Sequence, residues 1–414
     1  MALQKIQKLF KENVSPQDLV IPARLCYGER RISQGEGGDI LTSVIHKIFR
    51  FLREEIVLTA AWLLALLTMF FIPPDSKYID YIDLHTLGLL FALMAVMAGL
   101  QRLGLFRAMG EAMLRRTRTT RQLEAVLIFL PFFTSMAVTN DVALITFVPF
   151  ALEVLAMAGQ SRRAIPVVVM QTIAANLGSM TTPIGNPQNL YLYSRYGLSI
   201  GEFFSAMLPL TAASFCLLLL FVLVRKPLPI SVPTGETQRP PMKKGLLTLL
   251  LVLFVLCLLV VAKLIPLWAV CLIILIAMLA ADRTALIKVD YALLFTFVGF
   301  FIFVGNLGRI PVFTELFRRL LTGREVVCSV IASQVISNVP AALLLSGFTD
   351  RAKDLLIGVN LGGLGTLIAS MASLISYKYM AKAFPREKGK YLLWFTAANI
   401  VFLILLLILW VLAY

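Results

Sequence analysis

The residues best suited to chemistry lie in four polar interruptions of otherwise apolar segments. Two are short tips, at residues 139–141 (TND) and 337–340 (SNVP), and two are breaks, at residues 176–189 (NLGSMTTPIGNPQN) and 360–370 (NLGGLGTLIAS). Glycine and proline weaken a helix and free its backbone groups. Such groups persist at membrane depth only where protein buries them or a wet cavity lies beside them. The pattern predicts discontinuous helices that bind an ion or solute; for residues 176–189, a helix end followed by an ordinary loop is the alternative.

The side chains of these segments offer oxygen ligands and very little charge. A coordination set of amides and hydroxyls, without sulfur or imidazole, suits a hard cation such as sodium. Helix N-termini favour anions, and the carbonyls at helix C-termini favour cations. The groups are the amides of Asn140, Asn186, Asn189 and Asn338 and the hydroxyls of Thr139, Ser179, Thr181, Thr182, Ser337 and Thr366.

Asp141 is the only acid at either tip. A carboxylate inside a membrane is costly, so its presence is a functional hypothesis by default. It either ligates a cation or carries a proton, and the alternative is that it caps the helix that follows. We predict no catalytic residues. The predicted substrate ligands are Thr139, Asn140, Asn186, Pro187, Asn189, Ser337, Asn338 and Thr366, and the predicted coupling residues are Asn140, Asp141, Ser179, Gly185, Asn338 and Gly362.

The composition is that of a helical membrane protein. Of the 414 residues, 59% are hydrophobic and 15% are charged, and repeated apolar runs of about 17–25 residues match membrane spans. The net charge of +15 falls mostly in alternate loops, as the positive-inside rule requires, and so does not indicate nucleic acid. An intramembrane enzyme is disfavoured because the sequence has no HExxH motif and no cluster of acids and histidines.

Hydropathy and loop charge predict an all-α polytopic membrane protein with about eleven transmembrane helices. Two re-entrant hairpins are expected at residues 122–158 and 326–348; two short full spans are the alternative for the first. Discontinuous helices are expected at about residues 164–193 and 353–376, and the basic residues 377–390 are expected to lie on the cytoplasmic side. The N-terminus is predicted inside and the C-terminus outside. The predicted parts are a basic cytoplasmic tail (1–53), a first repeat half (54–224), a proline-rich cytoplasmic linker (225–244) and a second repeat half (245–414).

The two halves carry matching features in the same order. Asp83 and Asp290 are 207 residues apart, and so are Arg102 and Arg309. The two tips follow, and then the two breaks, each of which opens on Asn-Leu-Gly. Loop charges predict that the first hairpin enters from the inside and the second from the outside. This is an inverted-topology repeat, which many secondary transporters use.

The sequences TNDVALITFVPF, GNPQN and SNVPAALLL resemble those of the ion transporter superfamily. Its members include arsenite permeases of the ArsB type, sodium/proton antiporters of the NhaD type, citrate permeases and divalent anion/sodium symporters. The resemblance covers roughly residues 55–414 and implies a homodimer whose transport domain moves against a scaffold as an elevator. It also implies that the solute binds between the tips, and that sodium sites lie at Thr139, Asn140 and Gly178 and at Ser337, Asn338 and Gly365.

The tips depart from one branch of that superfamily. The dicarboxylate symporters carry Ser-Asn-Thr at both tips, whereas this chain has Asp141 and Val339 at the third position. The third tip residue thus has no hydroxyl in either half, which departs from the ligand pattern of the sodium-coupled dicarboxylate symporters. An Asn-Asp tip is closer to the arsenite and sodium/proton branches.

We predict a secondary transporter of the cytoplasmic (inner) membrane that couples sodium or protons to the movement of a small carboxylate or oxyanion. The expected partners are this anion, the lipid bilayer and a second copy of the chain; no other cofactor is expected. A sodium/proton antiporter or an arsenite-type efflux permease is the alternative. A passive channel is a further alternative, which concentrative uptake would exclude.

Overall fold

The computed structural model describes residues 55–230 and 242–413. In these residues the regular elements are nineteen α-helices and two short 3-10 helices, and the only extended pairing among them is a bridge between Thr119 and Pro229. Within the described residues, those from Val57 onward form one compact unit. The predicted tail and most of the linker (231–241) lie outside the described residues. The described chain is therefore all-α, as predicted.

The first half contains nine helices. Helices α5 and α6 pack together as the first hairpin. Helices α7 and α8 form the first broken helix, and residues 180–186 of the first break lie between them. The helices are α1 (Ile56–Met69), α2 (Lys77–Tyr81), α3 (Leu84–Arg102), α4 (Leu105–Leu114), α5 (Thr120–Thr134), α6 (Asn140–Met157), α7 (Ala164–Ser179), α8 (Pro187–Arg195) and α9 (Ile200–Val224).

The second half contains ten helices, and its last seven follow the order of α3 to α9. Helices α15 and α16 pack together as the second hairpin. Helices α17 and α18 form the second broken helix, and residues 362–370 of the second break lie between them. The helices are α10 (Lys244–Val261), α11 (Leu267–Ala281), α12 (Arg283–Ile287), α13 (Tyr291–Leu307), α14 (Pro311–Leu321), α15 (Glu325–Ile336), α16 (Asn338–Leu345), α17 (Ala352–Leu361), α18 (Met371–Ala383) and α19 (Lys388–Ala413).

Five described segments are long and apolar enough to cross a membrane: α3, α6, α9, α10 and Pro385–Ala413, which contains α19. A sixth results if α13 and α14, which meet at 101°, count as one broken span. Helices α1, α11 and α15 are apolar but shorter. The chain is therefore a polytopic membrane protein, and the figure of about eleven spans stays a prediction.

The second broken helix ends later than the sequence predicts. Loop charge predicts its end near residue 376, but α18 continues to Ala383. Tyr379 and Met380 of this last part of α18 are buried, whereas the neighbouring residue Lys378 is exposed. The charge therefore marks the exposed side of a helical turn rather than the end of the helix.

The starts of α3 and α13 are capped in the same way. An Asp83 carboxylate oxygen accepts a hydrogen bond from the Thr86 N–H at 2.9 Å, and an Asp290 carboxylate oxygen accepts one from the Leu293 N–H at 2.9 Å. Each aspartate thus satisfies a backbone donor that the first turn of a helix leaves unpaired.

The ends of α3 and α13 are each tied to the opposite half. Arg102 forms an ion pair with Asp282 of the second half, and Arg309 forms one with Asp75 of the first half at 2.8 Å. Asp75 and Asp282 are also 207 residues apart. Each half supplies the arginine to one ion pair and the carboxylate to the other, so the contact occurs twice with the roles exchanged, as in an isologous interface.

Each hairpin is anchored at its base by a buried glutamate. Glu124 in α5 accepts a hydrogen bond at 2.5 Å from Arg163, the residue before α7. Glu325, at the start of α15, accepts one at 3.4 Å from Arg351, the residue before α17. Arg225, just after α9, gives Glu124 a second cationic partner at 3.0 Å. These anchors join the first arm of each hairpin to the start of the neighbouring broken helix.

Candidate transport site

The tip of each hairpin is hydrogen-bonded to the break beside it. The Asn140 N–H donates to the Gly185 carbonyl at 3.2 Å, and the Asn338 N–H donates to the Ala369 carbonyl at 3.0 Å. Both asparagines begin the second arm of their hairpin, α6 or α16. The two halves therefore join tip to break through the same backbone contact.

Glycine allows each broken helix to pass close to its hairpin. A Cβ built on Gly178 would lie 2.1 Å from the Phe132 carbonyl oxygen, and one built on Gly362 would lie 2.5 Å from Ser333 Oγ. Closely packed interiors leave no room for a methyl group at such distances. The glycine of each Asn-Leu-Gly sequence is thus required by the approach of α7 to α5 and of α17 to α15.

Two asparagines near the ends of α7 and α17 link the halves. Asn176 Oδ1 accepts hydrogen bonds from Asn140 Nδ2 at 3.0 Å and from Ser370 Oγ at 3.2 Å. Asn360 Oδ1 accepts one from Asn186 Nδ2 at 3.1 Å. Ser370 and Asn186 are the residues before α18 and α8. The asparagine of each half therefore reaches the residue that starts the second part of the other half's broken helix.

Asparagine amides also satisfy the first break. Asn186 Oδ1 caps α8 by accepting a hydrogen bond from the Asn189 N–H at 2.9 Å. Asn189 Oδ1 accepts from Asn360 Nδ2 at 2.6 Å. Asn189 Nδ2 lies 3.1–3.4 Å from three carbonyl oxygens, those of Ser179, Met180 and Thr182.

In the second break, the side-chain amide of Gln334 in α15 hydrogen-bonds the backbone groups of the break. Its Nε2 donates to the carbonyls of Gly362 and Leu364, each at 2.9 Å, and its Oε1 accepts from the Thr366 N–H at 2.9 Å. Gly365 has a φ of 112°, and a Cβ there would lie 2.3 Å from Gln334 Oε1. The loop of the second break is thus folded around one glutamine side chain.

The two tips differ in their unfavourable features. Asp141 Oδ1 is buried, and within the described residues it has no hydrogen-bond partner. The Asp141 N–H donates to Asn140 Oδ1 at 3.0 Å. At the other tip Ser337 has a φ of 73° and a ψ of 154°, a region that is almost restricted to glycine. Strain and unpaired polar groups of this kind concentrate at functional sites.

Most residues predicted for the site lie in this buried network. Thr139 is only half-buried, and Thr366 is exposed. Thr181 bonds to Thr211, and Thr182 donates to the Met136 carbonyl at 2.5 Å, so both hydroxyls hold the first break rather than face the asparagines. The buried members are Asn140, Asn186, Pro187, Asn189, Ser337, Asn338, Ser179, Gly178, Gly185, Gly362 and Gly365.

Sequence reasoning missed four members of the network: Asn176, Asn360, Ser370 and Gln334. The two asparagines were noticed only as markers of the repeat, although a polar residue at matching positions of two membrane helices is itself a signal of function. Ser370 carries the usual signature of a helix N-cap. Gln334 lacked a matching residue in the first half.

A polytopic helical protein whose polar core is built from helix breaks of both halves has the architecture of a membrane transport protein. Comparison with known proteins gives the family. Residues 48–351 match the CitMHS citrate transporter family, and the chain belongs to this family. The protein is accordingly a transporter and not an enzyme.

Individual relatives agree with this assignment. Inner membrane protein YbiR of Escherichia coli (strain K12) is 33% identical over 316 residues, which is 75% of this chain and 83% of that protein. An uncharacterized transporter of Methanocaldococcus jannaschii is 28% identical over 342 residues, 82% of this chain and 85% of that protein. Silicon efflux transporter LSI3 of Oryza sativa subsp. japonica is 35% identical over 152 residues, 37% of this chain and 31% of that protein.

Proposed function

We propose that this chain is an ion-coupled secondary active transporter of a small carboxylate or oxyanion. The observation that carries the proposal is the buried network in which Asn176 and Asn360 connect each break to the other half. Because both halves contribute to one polar site, a movement of either half opens or closes that site. Sites of this construction, at broken helices of two repeats, support alternating access.

The surroundings of the network favour a small anion of low charge. Helices α6, α8, α16 and α18 all begin at a tip or a break, and helix N-termini attract anions. The tips and breaks contain no lysine, arginine or histidine. Amide donors and helix starts would therefore bind the anion without a fixed cationic side chain. The predicted substrate ligands Asn140, Asn186, Asn189 and Asn338 supply those amides.

Asp141 is the group that we assign to coupling. A buried carboxylate oxygen without a hydrogen bond is unfavourable as an anion, and a bound proton or sodium ion removes much of that cost. Asn140 and the neighbouring break lie beside Asp141, so loading of the carboxylate affects the residues that we assign to the substrate.

The architecture and assembly that we propose are those predicted from the sequence. Two re-entrant hairpins enter from opposite membrane faces, with the N-terminus inside and the C-terminus outside the inner membrane, and a homodimer works as an elevator. The repeated seven-helix order and the exchanged ion pairs of Arg102 and Arg309 support an inverted repeat. The name of the Escherichia coli relative supports the inner membrane.

A sodium/proton antiporter or an oxyanion efflux permease is the second candidate. The tips and breaks carry no cationic side chain that could pair with Asp141, and a carboxylate without such a partner favours cation binding. The rice relative is named as a silicon efflux transporter, which supports an export direction.

Transport by purified protein in proteoliposomes tests these proposals. Citrate, succinate, sulfate, phosphate and arsenite would each be offered with an imposed sodium or pH gradient. We expect one anion to accumulate against its own gradient only when an ion gradient is present. Sodium-driven proton movement without anion transport would favour the antiporter, and purely downhill flux would indicate a channel.

Three variants connect that assay to the site. Asn140→Ala and Asn338→Ala are expected to abolish transport while folded protein is retained. Asn399→Ala is the matched control, because this buried asparagine of α19 donates to the Phe395 carbonyl of its own helix at 2.8 Å and lies outside the network. Wild-type rates in both site variants would contradict the site.

A further inference from the structure

Gln334 satisfies the second break with both ends of one amide. Its Nε2 lies 2.9 Å from the carbonyl oxygens of Gly362 and Leu364 in the break, and at the longer distance of 3.2 Å from that of Val330 in its own helix. Its Oε1 accepts from the Thr366 N–H at 2.9 Å. The positive φ of Gly365 and its missing Cβ make room for the amide. The side-chain nitrogen must face the carbonyls. In the flipped amide, Oε1 would face these carbonyl oxygens, and no hydrogen would be available for a bond between them.

The carbonyls that Gln334 contacts are of the type that binds cations in broken membrane helices. Those at the C-terminal end of a helix segment carry partial negative charge, and unwound carbonyls coordinate sodium in several transporter architectures. We propose that the Gln334 amide takes the place of a bound cation at the second break. This proposal rests on the proposed transport function. The coupling ion is then carried at the first tip alone.

The first half differs at the two positions that matter. Measured from Asn140 and Asn338, the match of Gln334 is Met136, whose side chain has no N–H, and the match of Asp141 is Val339. The first hairpin thus has an ionisable group at its tip and no amide at the position of Gln334, and the second hairpin has that amide and no ionisable group at its tip.

Carbonyls of the first break do face an amide, that of Asn189. Its contacts of 3.1–3.4 Å are longer than those of Gln334, and Asn189 also bonds to Asn360 of the other half. The amide at the first break is therefore shared between the halves, whereas the hydrogen bonds of Gln334 to described residues all lie within the second half.

Gln334→Glu tests the proposal because it replaces the amide donor with a carboxylate of the same size. At alkaline pH the new carboxylate and the two carbonyls form a set of oxygens that a cation can join. We expect the melting temperature of the purified variant in detergent to rise by about 2–5 °C when sodium chloride replaces choline chloride at constant ionic strength. At acid pH, where the carboxyl group can itself donate a hydrogen bond, this sodium response should disappear.

Gln171→Glu is the matched control. Gln171 of α7 is buried, and its Nε2 donates to the helix carbonyls of Leu127 and Phe147 at 2.7 and 3.4 Å, away from both breaks. The same chemical change there should lower stability equally in sodium and in choline.

The Asp141→Asn background separates the two cation sites. A sodium response of Gln334→Glu that persists in this background supports the proposal. The proposal is overturned if folded Gln334→Glu shows no sodium response in either background, or if the wild type is stabilised by sodium and Asp141→Asn keeps that response. The measurement needs no substrate, so absence of anion transport would count against the proposed function and not against this inference. If Gln334→Glu does not fold, Gln334→Met leaves the two carbonyls open and should be stabilised by sodium in the same way.

Discussion

Asp141 and Ser337 are the tip residues at which the chain accepts an unfavourable arrangement. Asp141 keeps a buried oxygen that no described residue hydrogen-bonds, and Ser337 keeps a backbone conformation suited to glycine. Backbone strain of this type costs about 1–3 kcal/mol and survives only where the surroundings enforce it. At Ser337 the enforcing contact is the hydrogen bond from the next residue, Asn338, to Ala369. The cost at each tip can therefore be tested by a single substitution.

Asp141→Asn is expected to abolish ion-driven accumulation without loss of folded protein. The amide keeps the size of the side chain and removes a charge that the buried oxygen cannot satisfy, so the thermal stability should be unchanged or higher. Uptake with and without sodium and pH gradients is the measurement. The control is Glu153→Gln on the same helix, because Glu153 is half-exposed and pairs with Arg107 at 3.0 Å. Unchanged ion dependence in Asp141→Asn would contradict the coupling role.

Ser337→Gly is expected to raise stability by about 1 kcal/mol. Relief of strain gains about 1–3 kcal/mol, and the added freedom of glycine in the unfolded chain costs about 0.5–1 kcal/mol. The hydroxyl adds little, because its two contacts are 3.5 Å long. Thermal unfolding in detergent is the measurement, and Ser337→Ala, which keeps the Cβ, is the control. Equal stability of the two variants would show that the backbone is not strained.

At the scale of elements, each broken helix is fixed at three places. An arginine–glutamate anchor holds its start, a glycine lets its middle approach the hairpin, and an asparagine near the break crosses to the other half. The three places lie along α7 and α17 in the same order. The elements that carry the site are thus positioned by short-range packing and by bonds across the halves together.

Gly178→Ala is expected to destabilise the protein by about 3 kcal/mol or more, or to prevent folding, because the new methyl group would meet backbone atoms that cannot move freely. The nearest is the Phe132 carbonyl oxygen, at 2.1 Å. The yield of monodisperse protein and its melting temperature are the measurements. Gly201→Ala in α9 is the control, since no described atom outside its own stretch of helix lies within 4 Å of a Cβ built there; it should be neutral or stabilising. Similar melting temperatures for the two variants would rule out the close approach.

The sequence predicted the elements well because their signals are local. Apolar runs marked the helices, and Asp83, Asp290 and the two Asn-Leu-Gly sequences marked the repeat. The extent of α18 was predicted wrongly, because loop charge cannot distinguish an exposed helical face from a loop.

Local sequence patterns could not predict which residues of the network bond to each other. The bond between Asn176 and Ser370 joins residues 194 positions apart. The role of Gln334 depends on how the chain folds back at Gly365. Composition and spacing identify which residues are polar at membrane depth, whereas the tertiary arrangement decides which of them meet.

At the scale of the whole molecule, the two halves exchange equivalent contacts. Arg102 and Arg309 each bond to an aspartate of the other half, and Asn176 and Asn360 each bond to a break of the other half. The ion pairs are partly exposed, so each contributes at most about 1 kcal/mol to stability. Their significance is geometric, because a two-fold relation between the halves would produce two equivalent ion pairs with exchanged roles.

Cysteine labelling tests the proposed inversion. Ser76 and Arg283 are both exposed and are 207 residues apart. In a cysteine-free background, Ser76→Cys is expected to react with a membrane-impermeant thiol reagent from outside intact cells. Arg283→Cys should react only after the membrane is opened. Labelling of both variants from the same side would exclude an inverted repeat.

The bond between Asn176 and Ser370 also has a consequence for biogenesis. When Asn176 leaves the ribosome, its partner is still 194 residues from being made. At about 5–20 residues per second, the first half waits in the bilayer for about 10–40 s before that bond can form. During this time its polar break depends on its own hairpin, on water or on an insertion factor. The site is therefore completed late, after Ser370 of the second half has been made. Substitutions that prevent its completion should cause degradation of newly made chains before a loss of transport is seen.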